Sequence, residues 1–547
     1  MSKARRRGGT RVNYAVMPAD IAPAAPPSLW APLRIPIFRS LFVADLMSDM
    51  GTFMQSVGAA WLMVSLGATP TLVALTQTAS SLPFFVFALP AGALGDIVDR
   101  RRLILACEYW MVGVATVLAI VTIAGRMSPW LLLILTCALS AGDAFETPTW
   151  RAVLPELVGK ADLAPASALN GIEFNFARSA GPALAGVIIV VAGVGTAFVL
   201  NVVSFAGVIL VIARWKRVAR RQTAPIETVS GAMIAAVRYV HYAPVVRFVM
   251  IRAGLTMFAA SALLALLPTV ARAMSAQATV YGLLLGAFGV GAILGAVVMQ
   301  PARGRWPLET VASGAVVLLG AMIIAAGEAR SLFLFVLVML VAGSGWLAFI
   351  SLISALVQNL APDWARARVL AIFILIFQGG LAAGSAMWGA IATRIGIPHT
   401  FLLSGLCTIA TIALGAVATL PDATVDTTPW NQWRLPTIPD PTAFAVQNRA
   451  TLVTVRYRVL PGRVEPFLRA MDAFGLIRRR DGASQWGIFR DVEHENAFVE
   501  VFLVTSWAEH IRQHERFTRA DNDVATEVRQ HLEDEPVVDH FIDAQLD

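Results

Sequence analysis

The chain has 547 residues, of which 57% are hydrophobic and only 14% charged. A soluble domain carries about 25% charged residues, so most of this chain belongs in a lipid bilayer. Its net charge of +7 is uneven: residues 448–547 hold 13 Arg against 18 Asp and Glu, a net −5, and the excess of basic residues elsewhere sits in short loops. That distribution fits a membrane protein with basic cytoplasmic loops and argues against a nucleic-acid binder. Cys107, Cys137 and Cys407 all lie in apolar segments with neither disulfide nor metal-ligand spacing.

Residues 1–29 read as a basic, polar N-terminal tail, with Arg5–Arg7 near its start and no cleavable signal peptide. Two transmembrane halves follow, at 30–213 and 244–420. Runs of roughly 20 apolar residues suffice to cross about 30 Å of hydrocarbon. Twelve such spans are expected, at 37–65, 69–92, 103–124, 128–150, 165–192 and 194–213, then 245–271, 278–300, 308–327, 330–355, 368–392 and 397–420. Arg100–Arg102, Arg151 with Lys160, Arg214 to Arg221, Arg303 with Arg305, and Arg366 with Arg368 occupy every second loop, which places both termini in the cytoplasm. Residues 214–243 form a linker between the halves. Met233, Val237 and Val240 give it one apolar helical face, suited to lying on the membrane surface.

The halves repeat. At an offset of 203 residues Gly181 meets Gly384, Gly186 meets Gly389, Gly193 meets Gly396, and Phe198 meets Phe401. Parallel repeats of this kind build transporters with the substrate site between the halves. After a linker at 421–449, rich in Pro, Thr and Asp, residues 450–547 read as a cytoplasmic α+β unit. Strands are expected at Val453–Val459, 485–491, 498–504 and 537–542, and helices at 464–477 and 507–532, the βαββαβ order of a ferredoxin-like fold.

Ionisable residues inside spans are costly and mark function. Asp45 and Asp49 lie four apart on one face of the first span. Asp45 and Asp49 are expected in the central cavity as proton or substrate sites, with packing against neighbouring helices or snorkelling near an end as the alternative. Glu173, Arg178 and Arg252 are expected there too, with structural ion pairing as the alternative. Glu108 carries the same two readings. Glu146 ends the fourth span, where it either pairs with Arg100 or Arg102 as an inner latch or simply lines a loop. In the fifth span Gly181, Pro182 and Gly186 bend the helix and permit close packing. His510 and His514 share one helical face in the C-terminal unit. Their neighbours Glu509, Arg512, Glu515 and Arg516 fit a solvated helix or a charged interface better than a metal or haem site. No Gly-rich nucleotide loop follows a strand, so ATP-driven transport is disfavoured.

Gly92, Leu94, Asp96, Asp99 and Arg100–Arg102, between the second and third spans, resemble the loop signature of the major facilitator superfamily. Pro32 to Arg34 before Arg39, Trp61 to Met63, Arg178 before Gly181 and Pro182, and Ala361 to Asp363 before Arg366 are similar to its transmembrane secretion effector branch. Arg479 to Gly482 and Ser506 to Arg516 resemble that branch's C-terminal extension, and more loosely the antibiotic-biosynthesis monooxygenase fold, which dimerises through its sheet. The resemblance implies a secondary exporter of small molecules such as siderophores or drugs in a bacterial-type inner membrane. Protons are the implied coupling ion, no cofactor is implied, and a homodimer through the C-terminal unit is possible. It also implies that Asp96, expected at the start of the third helix, acts in switching. The competing reading is a membrane-tethered enzyme or sensor whose activity lies in the C-terminal unit.

Overall fold

A computed structural model describes residues 28–159, 162–215, 229–421, 425–430 and 449–544. The basic N-terminal tail, Lys160, residues 216–228 and most of the second linker lie outside the described residues.

After a 3-10 turn at Ala31–Arg34, the first half comprises α1 (Pro36–Ser65), α2 (Pro70–Ile97), α3 (Arg100–Ile123), α4 (Pro129–Leu157), α5 (Leu163–Ala192) and α6 (Val194–Arg214). The linker helix α7 (Val229–Tyr242) leads to α8 (Pro244–Ala260), α9 (Ala262–Met274), α10 (Ala278–Arg303), α11 (Leu308–Glu328), α12 (Leu332–Leu360), α13 (Arg366–Ile395), α14 (Ile397–Ala410) and the short α15 (Leu414–Val417). Ten candidate spans among the described residues are long and apolar enough to cross a membrane, with α8 and α9 together counting as one and α14 with α15 as another. α1 and α2 pack in the same bundle. Large apolar side chains such as Ile123, Val191, Val203 and Phe333 point outward, as lipid contact requires.

The 203-residue repeat is structural. α5 and α13 correspond end to end, and each stops at a glycine with φ near +80°, Gly193 at 83° and Gly396 at 81°. Only glycine adopts that conformation at little cost. The halves meet at the end of the bundle opposite α7. There Thr71 Oγ1 lies 2.8 Å from Thr393 Oγ1 and donates to the Gly389 carbonyl at 3.2 Å. On the other seam Gly186 of α5 packs against the backbone of Ala278, Thr279 and Gly282 in α10.

The span expected as one helix at 245–271 is interrupted at Ser261. Its local carbonyls are drawn into side-chain hydrogen bonds. Trp388 Nε1 and Ser261 Oγ both donate to the Phe258 oxygen at 2.9 Å, and Ser404 Oγ donates to the Ala259 oxygen at 2.6 Å.

The C-terminal unit has β1 (Thr451–Arg458), α16 (Val464–Asp481), β2 (Ala483–Arg490), β3 (Ala497–Val504), α17 (Trp507–Arg516), α18 (Arg519–Arg529) and β4 (Val537–Ile542). The sheet runs β2-β3-β1-β4 with every neighbour antiparallel. Val453, Val455, Tyr457, Phe498, Phe502 and Val504 bury one face against Phe467, Met471 and Phe474. The single helix expected at 507–532 is two. It breaks at Phe517, and Thr518 with Asp521 forms a capping box that starts α18. Part of the second linker belongs to this unit: Trp430 packs on its core, and the Trp430 N–H donates to the Phe517 carbonyl at 2.8 Å.

Candidate functional site

The loop signature folds differently from its expected reading. α2 continues to Ile97, so Gly92 and Asp96 belong to its last turns and Asp96 does not start α3. Their side chains lie outside the described ones. The acid that caps α3 is Asp99, whose Oδ1 accepts the Arg102 N–H at 3.0 Å. Arg100 donates to Glu156 and to the Ala152 carbonyl, both at 2.8 Å, and Arg101 donates to the Ile212 carbonyl at 2.9 Å. These arginines tie α3 to the ends of α4 and α6. Glu156, rather than Glu146, receives Arg100.

Glu146 meets another acid. α3 and α4 run antiparallel, and Gly142 packs directly on Met111. One turn toward the α7 end, this register places Glu108 opposite Glu146, near enough for the two carboxyls to repel each other. Glu108 Oε2 is buried without a hydrogen-bond partner.

This pair belongs to a layer. Asp45 and Asp49 on α1 do share a face and sit close enough to repel each other. Trp150 Nε1 of α4 donates to Asp45 Oδ2 at 3.2 Å. Asp143 accepts from Thr147 Oγ1 at 3.1 Å and faces both α1 acids. Glu173 of α5, 4% exposed, approaches Asp45 and Asp49, and its Oε1 has no hydrogen-bond partner. At 1.5 Å per residue these acids lie about 12–21 Å from the α7 ends of their helices. Arg178 lies just deeper, at about 22 Å. It is half-buried and makes no ion pair with a described residue. It sits one turn before Gly181 and Pro182. Gly181 touches Met50 and Phe53 of α1, and the Pro182 carbonyl touches Gly282 of α10. Arg178 therefore occupies the face of α5 turned toward both halves.

Arg252 lies apart from this layer and takes the ion-paired alternative. It is fully buried within the second half, donating to Glu309 Oε2 at 2.7 Å and to Ser313 Oγ at 3.2 Å. Glu309 also accepts the Leu420 N–H at 3.1 Å. The triangle fastens α8 to α11 and to the end of the last span, so its charge is spent on structure.

At the other seam the wall is apolar. A cavity of about 540 Å³ opens between α2 of one half and α8 and α13 of the other, lined by Leu82, Phe85, Leu255, Phe258 and Gly380. Thr78, at its edge, already donates to the Ala382 carbonyl at 2.8 Å.

In the C-terminal unit, Nε2 of His514 lies 3.3 Å from Nε2 of His510, whose Nδ1 faces Gln513 Oε1 at 3.1 Å. Burial, then the neighbouring His514 and His540, pushes His510 down to about 3. Burial and Arg478 push His514 down to about 4. Both rings are neutral at physiological pH. Among the described residues no group of three His, Cys, Asp or Glu is placed to hold a metal ion.

Residues 27–546 match the profile of the family described as transmembrane secretion effector. The chain is 22% identical over 375 residues to the staphyloferrin A transporter of Staphylococcus aureus, covering 68% of this chain and 93% of that protein. It is 24% identical over 397 residues to the multidrug efflux pump Tap of Mycolicibacterium fortuitum, covering 70% and 95%. To the enterobactin exporter of Salmonella typhi it is 24% identical over 379 residues, covering 66% and 86%. Among solved structures, a bacterial homologue of the lysosomal transporter Spinster, inward-facing and unoccupied, aligns with a TM-score of 0.54 at 14% identity, over 71% of this chain and 96% of that one. A bacterial ferroportin homologue in its inward-facing state aligns at 0.51 and 16%, over 70% and 97%. These likenesses show the transporter fold, and they lend nothing to an enzymatic reading of the C-terminal unit.

Proposed function

Because this chain belongs to the transmembrane secretion effector family, a family of transporters rather than enzymes, we propose that it exports small amphipathic anions from the cytoplasm in exchange for protons. The observation that carries this is the asymmetry between its two seams. One presents Arg178, without an ion-pair partner among the described residues, beside a layer of six carboxyl groups; the other presents a 540 Å³ apolar wall. An arginine keeps its charge at any physiological pH and orients an anion, and the apolar wall takes a lipophilic body. Buried acids without an ion-pair partner bind and release protons as their access changes. The relatives' names, a siderophore transporter, a siderophore exporter and a drug pump, agree with such cargo.

In this reading the bundle has twelve spans in an inner membrane and both termini face the cytoplasm. The seams are closed at the end opposite α7. Asp96, in the last turn of α2, tunes switching. The C-terminal unit is ferredoxin-like, and its uncovered sheet face, with Phe489, Val537 and Phe541 exposed, pairs with a second copy. Chemical cross-linking of the full chain in membranes tests the dimer. Reporter fusions at Thr223 and after Leu420 should both report cytoplasm.

The deciding experiment is metabolite profiling of cells with and without the gene, followed by transport of the enriched compound in inverted vesicles. Asp49→Asn should transport only down the compound's own gradient, and Arg178→Ala should raise its KM. Proton-driven accumulation surviving in Asp49→Asn would move coupling to Asp45, Glu173 or the Glu108 and Glu146 pair.

A further inference from the structure

The C-terminal unit is fastened to the second half by a network of ion pairs and cation–ring contacts. Arg238 of α7 donates from Nη2 to Glu509 Oε1 at 2.8 Å and from Nε to the Arg480 carbonyl at 3.3 Å. Glu509 also receives Arg516 at 2.6 Å and Arg512 at 2.8 Å. Burial alone would raise the Glu509 carboxyl, yet Arg516, Arg238 and Arg512 hold it below the usual carboxylate range. Behind this cluster two guanidiniums clasp two rings. Arg480 lies 5.6 Å over Tyr239 of α7, and Arg516 lies 4.8 Å over Trp364 in the connection between α12 and α13. Tyr239 and Trp364 meet edge to face at 5.7 Å, and the Tyr239 hydroxyl donates to the Leu360 carbonyl at 2.9 Å. Asp481 and Asp521 hold the Arg480 guanidinium in place at 2.7–3.0 Å.

The parts held are the ones that must stay rigid when the halves rock. α7 packs on α8 and α13. The Trp364 connection starts α13, whose far end forms the seam with Thr71. The chain also leaves the bundle at Leu420, already held by Glu309. We propose that the C-terminal unit is a brace clamped to the α7 end of the second half, moving with it as one body, and that docking through Glu509 and Arg238 is required for fast alternation. The proposal rests on the transport reading above, but the clamp itself is testable without any substrate.

Hydrogen–deuterium exchange on the full chain in lipid nanodiscs would read the clamp. Arg238→Met lies outside the C-terminal fold and cannot unfold it directly. It should raise exchange on both sides at once, in 229–242, in 361–365 and in 507–516, while leaving β1 and β3 protected. Glu509→Gln should do the same, and Arg238→Lys, which keeps the charge, should largely restore protection. Changes confined to 507–516, or none, would overturn the clamp. In the vesicle assay Arg238→Met should lower the export rate several-fold with KM unchanged, and Arg238→Lys should recover it. Unclamping with undiminished export would overturn the brace while leaving the transport reading intact. Absence of export by the unmutated chain would instead strike the transport reading and leave the exchange result standing.

Discussion

The two halves of the bundle share a skeleton to the residue at Gly193 and Gly396, yet they bury different chemistry. The buried apolar residues of the second half, from Val246 to Leu420, fall in one continuous cluster, which also takes in Met54, Trp61 and Ile189 of the first half. Its deep charge, Arg252, has a partner at 2.7 Å. The first half splits into several smaller clusters, and between them lie Asp45, Asp49, Glu108, Asp143, Glu146 and Glu173. One half of the repeated scaffold buries a paired charge, and the other buries carboxyls without a cationic partner among the described residues. Removing charge should therefore hurt the two halves in opposite ways.

The largest effect is expected at Glu309. Glu309→Ala leaves a fully buried guanidinium unpaired and frees the Leu420 N–H, a loss of about 3–5 kcal/mol. Glu108→Gln or Asp49→Asn removes a buried charge that has no cationic partner, and should leave melting within about 1 kcal/mol of the parent. Thermal melting of the purified chain in detergent checks both. If Glu108→Gln unfolds the protein as Glu309→Ala does, the acids are structural and the division fails.

The next effect is acid sensitivity localised to the C-terminal unit. His510 and His514 have folded values near 3 and 4 against an ordinary value of 6.5. Depressed values favour the neutral form in the folded state, so their contribution is complete above about pH 6.5. It falls away as pH drops toward 4 and then 3, because the unfolded chain binds the protons first. At about 1.4 kcal/mol per unit the two shifts together amount to roughly 8 kcal/mol as an upper bound. Exchange at 507–516 should rise between pH 6 and pH 4 before α8 to α14 loosen, and His510→Gln should flatten that dependence. A pH-independent pattern would remove the histidines as its cause.

The seams allow a test of symmetry. Gly186→Ala sets a methyl 3.1 Å from the Thr279 backbone, and Gly389→Ala sets one 2.5 Å from Ala74. Both should cost about 1–3 kcal/mol in the state where this end is closed, shifting the population toward opening there. Labelling of a cysteine placed at Thr393 by a membrane-impermeant thiol reagent should speed up in both variants. A response in only one would mean the halves do not share the hinge work.

Much of this was legible because local rules governed it. Helix lengths followed the apolar runs, and the glycine offset of 203 located the repeat. The alternation at Val453, Val455 and Tyr457 marked β1, with its helix-facing side buried. What stayed hidden depends on partners far along the chain. The break at Ser261 comes from Trp388 and Ser404, more than a hundred residues away. Arg252 looked like a cavity charge because Glu309 is 57 residues on. The Glu108 and Glu146 contact follows from the register of Gly142 on Met111, which no single-helix pattern contains. The clamp joins Arg238 to Glu509 across 271 residues. Asp96 and Asp99 were separable in principle, since only Asp99 stands three residues before the Arg102 N–H it caps.

That capping difference yields the smallest prediction. α3 begins with Asp99 as its N-cap, whereas its counterpart in the second half, α11, begins at Pro307 with no side-chain cap. Asp99→Ala should therefore cost about 1 kcal/mol, and melting with Asp99→Asn or Asp99→Ser should recover most of it, because both accept the same N–H. The loss would fall on the turn that Arg100 and Arg101 use to hold α4 and α6 together. If the turn serves only stability, export by Asp99→Ala at matched membrane levels will track the melting change. If it also sets switching, export will drop further in Asp99→Ala than in Asp99→Ser at equal melting temperature, and a variant of Pro307 in the second half will show no such excess.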